Sequence, residues 1–152
     1  MPKTRAPVAT GGCQCGGVRY ALYAPVENSH VCHCRMCQRA TGGLFAALAG
    51  ARKADFAWTH GTASFYASSN LATRGYCAAC GTPLSFAYNL ARARIYATIG
   101  SLDEPDAAPI GMQYGVEGRV AWVKFCEDVP VEETGVAPDA QAFLARMQKN
   151  QP

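Results

Sequence analysis

Seven of the eight cysteines in this 152-residue chain fall into three tight groups, and that grouping restricts the fold more than any other feature. "GGCQCGG" carries Cys13 and Cys15, "VCHCRMC" carries Cys32, Cys34 and Cys37, "GYCAACGTPL" carries Cys77 and Cys80, and Cys126 stands alone. Thiols so close together form disulfides, hold metal or react. The opening "MPKTRAPVATGG" is basic and lacks the apolar centre of a signal peptide. No apolar run approaches the roughly 18 residues that span a bilayer. The expectation is a cytoplasmic protein with no membrane partner, and there clustered cysteines point to metal or catalysis rather than disulfides.

C-x-x-C followed by glycine turns the chain back so that both sulfurs face one ion, and C-x-C between glycines does the same in an extended turn. Two such pairs make a closed tetrahedral zinc site. Cys13, Cys15, Cys77 and Cys80 are therefore assigned to one structural zinc, which would clamp the N-terminal turn to the middle of the chain. A redox C-x-x-C normally precedes a helix, whereas "GTPLSF" reads as a turn into a strand.

Cys32, Cys34 and Cys37 remain, and an odd ligand count is informative. Catalytic zinc keeps three protein ligands and leaves the fourth position to water or substrate. Cys126, His30 or His33 could instead close a second structural site, although His33 alternates with two of the cysteines and in an extended segment points away from them. An open three-thiolate zinc is the preferred reading. Such a soft, electron-rich metal acidifies water poorly and suits a substrate thiol, which it would hold ionised. Arg35 and Arg39 flank the triplet and could hold a substrate carboxylate bidentately.

Charge offers little towards a macromolecular partner. The formal charge is +3 and the pI about 8.4, below the value above roughly 9 typical of nucleic-acid domains. Seven thiolates on two zinc ions would cancel that charge. No nucleic-acid partner is expected.

Alternating apolar residues predict strands at 17–25, 44–50, 55–61, 64–68, 84–89, 94–101, 111–116 and 119–125, mostly antiparallel. Helix is expected over 35–41, and over 138–150 with Asp139 as N-cap and Phe143 and Met147 on one face. The expected layout is a disordered arm over 1–10, a zinc-binding domain over 11–130, and a C-terminal loop and helix over 131–152 packed on it. Arg74, beside the C-x-x-C, reads as an ordinary satisfied surface residue.

"GGCQCGGVRY", "CHCRMCQRATGG" and "RGYCAACGTPLSF" together, with a late W-(x)₅-D-x-P at Trp122, Asp128 and Pro130, resemble the glutathione-dependent formaldehyde-activating enzyme family, which includes centromere protein V. The resemblance runs from about Gly11 to Pro130. It implies a mainly β fold of the Mss4-like β-tent type, a structural zinc on Cys13, Cys15, Cys77 and Cys80, and a catalytic zinc on Cys32, Cys34 and Cys37. It also implies a carbon–sulfur lyase that joins glutathione to formaldehyde, giving S-(hydroxymethyl)glutathione. The pattern departs at Gln113, where the family often carries a histidine. Two other functions compete: a non-catalytic zinc module that binds other molecules, and a thiol-redox enzyme of the methionine sulfoxide reductase type.

Overall fold

The computed structural model describes residues 5–90 and 93–124, with the isolated positions 130, 141–142 and 145–146. The fold is mainly β. A three-stranded antiparallel sheet is built from β1 (Ala9–Gly12), β2 (Arg19–Leu22) and β5 (Phe56–His60), with β2 central. A larger sheet of seven strands begins with β10 (Met112–Tyr114), β3 (Glu27–Cys32), β4 (Ala46–Arg52) and β9 (Arg94–Thr98). It continues through β8 (Pro83–Tyr88) and β7 (Ala72–Tyr76) to β6 (Ser64–Ala67). Every neighbouring pair is antiparallel except β10, which runs parallel to β3.

Strands with alternating side chains fall where the pattern predicts them. Three others carry no such pattern. β1 is "ATGG", β3 is "ENSHVC" and β7 is "ATRGY". Strand β3 lies between β4 and β10, so its backbone finds partners on both sides although Ser29 and His30 are buried. In β7 a side chain at Gly75 would run into Ser85 Oγ and the Phe65 ring, so close strand packing replaces apolar alternation. Residues 8–10, expected in a disordered arm, are instead paired. Val8 N–H donates to the Leu22 carbonyl at 2.8 Å, and Ala9 and Thr10 stand opposite Leu22 and Ala21.

The strand expected over 119–125 is not formed in its described part. Residues 120–123 close a turn, with Val123 N–H on the Val120 carbonyl at 3.0 Å and the Arg119 guanidinium on the Val123 carbonyl at 2.8 Å. Val123 is buried and Trp122 is exposed, so the alternation serves a turn lying on the sheet. Of the expected C-terminal helix only Gln141, Ala142, Ala145 and Arg146 are described, and the first three are helical. Asp139, Phe143 and Met147 lie outside the described residues, as does Cys126. None of the described helices is long and apolar enough to cross a membrane.

Between the sheets Tyr20, Leu22 and Leu84 are fully buried. Tyr20 stacks on Phe56 at 5.3 Å, meets Trp58 edge-on at 6.0 Å, and places its hydroxyl 2.8 Å from Ser101 Oγ, which satisfies a polar group that would be costly to bury alone. A second buried cluster, Cys37, Ala46, Leu48, Ala72 and Phe86, lies at the α-helix α1 (Arg35–Thr41). Cys34 caps that helix, accepting from Cys37 N–H at 3.4 Å. Gly42 ends it in the left-handed conformation at φ 70° and returns its N–H to the Gln38 carbonyl at 2.9 Å.

Candidate metal centres

The structure brings together two cysteine clusters. Cys13, Cys15, Cys77 and Cys80 converge, with all sulfurs within 4.8 Å of one another. Cys13 and Cys15 lie 3.5 Å apart and Cys15 and Cys77 3.9 Å apart, too far for S–S bonds. These spacings are close to the roughly 3.8 Å edge of a tetrahedron with Zn–S bonds near 2.3 Å. Backbone turns aim the thiols. Gly16 N–H returns to the Cys13 carbonyl at 3.0 Å and Gly81 N–H to the Cys77 carbonyl at 2.8 Å. Val18 N–H donates to Cys13 Sγ at 3.2 Å, and Thr82 Oγ1, 3.2 Å from Cys80 Sγ, brings that thiol down to about 6. The donor set fits a structural zinc. An ion there would join the β1–β2 turn to the β7–β8 turn.

Cys32, Cys34 and Cys37 form the second cluster, again within 4.8 Å. Cys32 ends β3, Cys34 is the helix cap and Cys37 is buried in the first turn, so a strand running into a helix presents three sulfurs to one point. Among the described residues no other Cys, His, Asp or Glu joins them. Burial, then the neighbouring thiols acting against a backbone hydrogen bond from Cys34, push Cys32 up to about 12. For Cys34 burial is outweighed by the Cys37 N–H and the adjacent thiols, and its pKa falls below the ordinary thiol value. The neighbouring thiols thus favour the ionised form of Cys34 and disfavour that of Cys32, so a cation between them is what would let all three be thiolates together. This set also fits zinc.

His33 does turn away from the sulfurs. It is fully buried, its Nε2–H donates to Gln113 Oε1 at 2.9 Å, and its Nδ1 has no partner among the described residues. Gln113, which departs from the family pattern, is therefore a partner of a buried histidine. Gln38 closes the same region, donating through Nε2 to the His33 carbonyl at 2.8 Å and the Gly118 carbonyl at 2.9 Å. That pins residues 115–118 over the triplet loop.

Beside the triplet lies a cavity of about 290 Å³ lined by Asn28, His30, Cys32, Cys37, Leu48, Phe86, Tyr88, Tyr96 and Tyr114. His30 meets Tyr114 edge-on at 4.8 Å and Tyr96 at 5.4 Å. Its Nδ1–H donates to the Asn28 carbonyl at 2.8 Å, so the neutral ring keeps Nε2 free of a proton. Larger hollows of about 590 and 600 Å³ elsewhere on the surface are lined by no cysteine.

Arg35 and Arg39 are exposed on α1 and line none of this cavity; Arg35 bonds Gln38 Oε1 at 2.5 Å instead. Arg74 differs from its expected surface role. It is 7 % exposed and donates to Cys37 Sγ at 3.3 Å and, through Nε, to Ser68 Oγ at 2.9 Å. Its position three residues before the C-x-x-C suggested the wrong cluster, because β7 crosses the sheet from one to the other. The cavity aromatics were equally hidden, since they come from β8, β9 and β10 at separate places in the chain. Chemically, the pair of clusters combines a closed four-sulfur site with a three-sulfur site facing an aromatic cavity.

A crystal structure of a Rhodobacter sphaeroides protein superposes with a TM-score of 0.55 at 21% identity, covering 69% of this chain and 98% of that one, which shows shared fold. The profile of the family described as glutathione-dependent formaldehyde-activating enzyme matches residues 8–117, a span containing both clusters and the cavity. On that match over most of its length, the chain belongs to the glutathione-dependent formaldehyde-activating enzyme family.

Proposed function

We propose that this protein is a zinc-dependent carbon–sulfur lyase, joining a glutathione-like thiol to formaldehyde or a similarly small electrophile at Cys32, Cys34 and Cys37. In this reading it holds two zinc ions per chain, one structural and one catalytic. The observation that carries it is the contrast between the clusters: three sulfurs beside a cavity, against four closed upon themselves. Zinc on the triplet would accept the substrate thiol as its fourth ligand and keep it ionised near neutral pH, below the free value of about 8.5.

The chain's own groups complete the chemistry. The thiolate sulfur forms a bond to the carbonyl carbon, the C=O π electrons move to oxygen, and that oxygen needs a proton. His30 lines the cavity with Nε2 bare, so it can take the proton released by the thiol and return it to the new hydroxyl. Phe86, Tyr88, Tyr96 and Tyr114 would wall the space that the electrophile enters. Arg35 and Arg39, outside the cavity, are left to the parts of a tripeptide thiol that extend beyond it.

The test is glutathione with formaldehyde, followed by NMR exchange between free and hydroxymethylated thiol, together with zinc per chain. Wild type should accelerate exchange and carry two zincs; Cys37→Ser should carry one and lose the acceleration. Exchange unaffected by Cys37→Ser, for glutathione and for smaller thiols and aldehydes, would remove this function.

A further inference from the structure

A buried guanidinium requires an anion. Arg74 is 7 % exposed, yet its described polar contacts are only Ser68 Oγ at 2.9 Å and Cys37 Sγ at 3.3 Å, and its Cζ lies over the Phe86 ring, 4.8 Å from the centroid. No carboxylate pairs with it among the described ion pairs. Arginine stays protonated in proteins, and an unpaired buried charge is strongly disfavoured. The group that this geometry sets against the guanidinium is the Cys37 sulfur, one of the three that would share a metal's charge.

The two clusters differ here. The sulfurs of the four-cysteine cluster bond neutral groups, Val18 N–H and Thr82 Oγ1. Three thiolates on a divalent ion leave one net negative charge, and a substrate thiolate would make it two. A fixed cation against one of the sulfurs lowers each total by one. It also draws electron density from that sulfur, which leaves the metal a better acceptor for a further anionic ligand.

We propose that Arg74 is the positioning residue of the three-cysteine centre: its guanidinium, set over the Phe86 ring and held by Ser68, orients Cys37 Sγ through a hydrogen bond and offsets the charge that a substrate thiolate adds. The inference rests on the reading of the triplet as a metal centre. The pieces come from three strands or their flanks: Arg74 from β7, Phe86 from β8, and Ser68 just after β6. Lysine would keep the charge but lose the planar fork of donors that reaches Ser68 and Cys37 together.

The experiment uses cobalt-loaded protein and glutathione as the added thiol. The closed four-cysteine site has no vacant position, so absorbance changes on adding thiol report the triplet. Arg74→Met and Arg74→Gln both remove the charge while burying different groups, so a folding failure in one leaves the other. With the charge gone, the sulfur-to-cobalt charge-transfer band of the resting protein should move to longer wavelength. The apparent Kd for glutathione should rise about tenfold or more. Arg74→Lys should recover part of both changes, which a merely structural loss would not allow. An unshifted band and wild-type thiol affinity in a folded Arg74→Met or Arg74→Gln protein would overturn the assignment. A shifted band with no thiol binding even in wild type would sustain Arg74's effect on Cys37 and remove the thiol-site reading instead.

Discussion

His30 shows how a residue acquires a role from its neighbours. Its Nδ1 is committed to the Asn28 carbonyl at 2.8 Å, and Asn28 itself adopts φ 48°, a conformation that asparagine tolerates better than most residues. The hydrogen bond selects the tautomer, and the tautomer leaves Nε2 as a proton acceptor beside Cys32 and Cys37 in one cavity. On the proposed function, His30→Asn should lower thiol–aldehyde turnover at least about tenfold and leave the zinc content of the wild type unchanged. Metal analysis beside the exchange assay checks this, and unchanged turnover would take His30 out of the proton transfer. At this scale each cysteine pair and the triplet were legible from spacing, because thiols within a few residues converge through local turns, and the distant pairs Cys13/Cys15 and Cys77/Cys80 were matched by the four sulfurs that a closed zinc site takes. Arg74 was not, because its partner Cys37 lies 37 positions away along the chain.

Among the elements, the small sheet depends on a contact at its edge. Arg19 on β2 pairs with Asp103 through both guanidinium nitrogens, and Thr10 Oγ1 on β1 donates to the same carboxylate at 2.5 Å. Asp103 N–H in turn reaches the Thr10 carbonyl at 2.9 Å, and Gly11 bridges to Leu102. The Arg19 hydrogen bond, against a small burial cost, holds the Asp103 carboxyl below the ordinary carboxylate range. A carboxyl whose folded pKa is depressed contributes stability above its unfolded value, and that contribution is lost as pH falls through the folded value. The Asp103 side chain is 42% exposed, so solvent screening limits the contribution to about 0.5–1 kcal/mol. Asp103→Asn should therefore lower stability by that amount at neutral pH and by progressively less below pH of about 4. Denaturant melts at the two pH values decide it; an equal loss at both would mean that the charge is not what matters. β1, β3 and β7 escaped notice for a related reason. Their pairing comes from neighbouring backbones, and nothing in "ATGG" or "ENSHVC" records it.

Across the whole molecule, the four-cysteine cluster and the Tyr20 core both tie the small sheet to the large one, and they fail differently. Cys13→Ser removes one sulfur of four and should release the zinc proposed there. We expect hydrogen exchange to rise across β1 and β2 first, while β4, β8 and β9, paired within the larger sheet, stay protected. Cys37→Ser should leave that pattern near wild type and alter the metal count and activity alone. Similar exchange patterns in the two variants would mean that the structural and catalytic assignments are not separable.

What the sequence determined by itself was whatever depends on local geometry. The cysteine spacing defined two pairs and a triplet of neighbouring sulfurs, and alternation located most strands. The helix expected over 35–41 forms as Arg35–Thr41. Tertiary structure alone decided what depends on bringing distant segments together. It set the aromatic wall from β8, β9 and β10, the buried His33–Gln113 pair, the turn in place of a strand at 120–123, and the placement of Arg74 against Cys37 rather than in solvent. The physical reason is common to all four. Spacing along the chain fixes only which groups a single turn or strand can aim together, whereas a buried charge or ring is assigned by the neighbours that the finished sheet supplies.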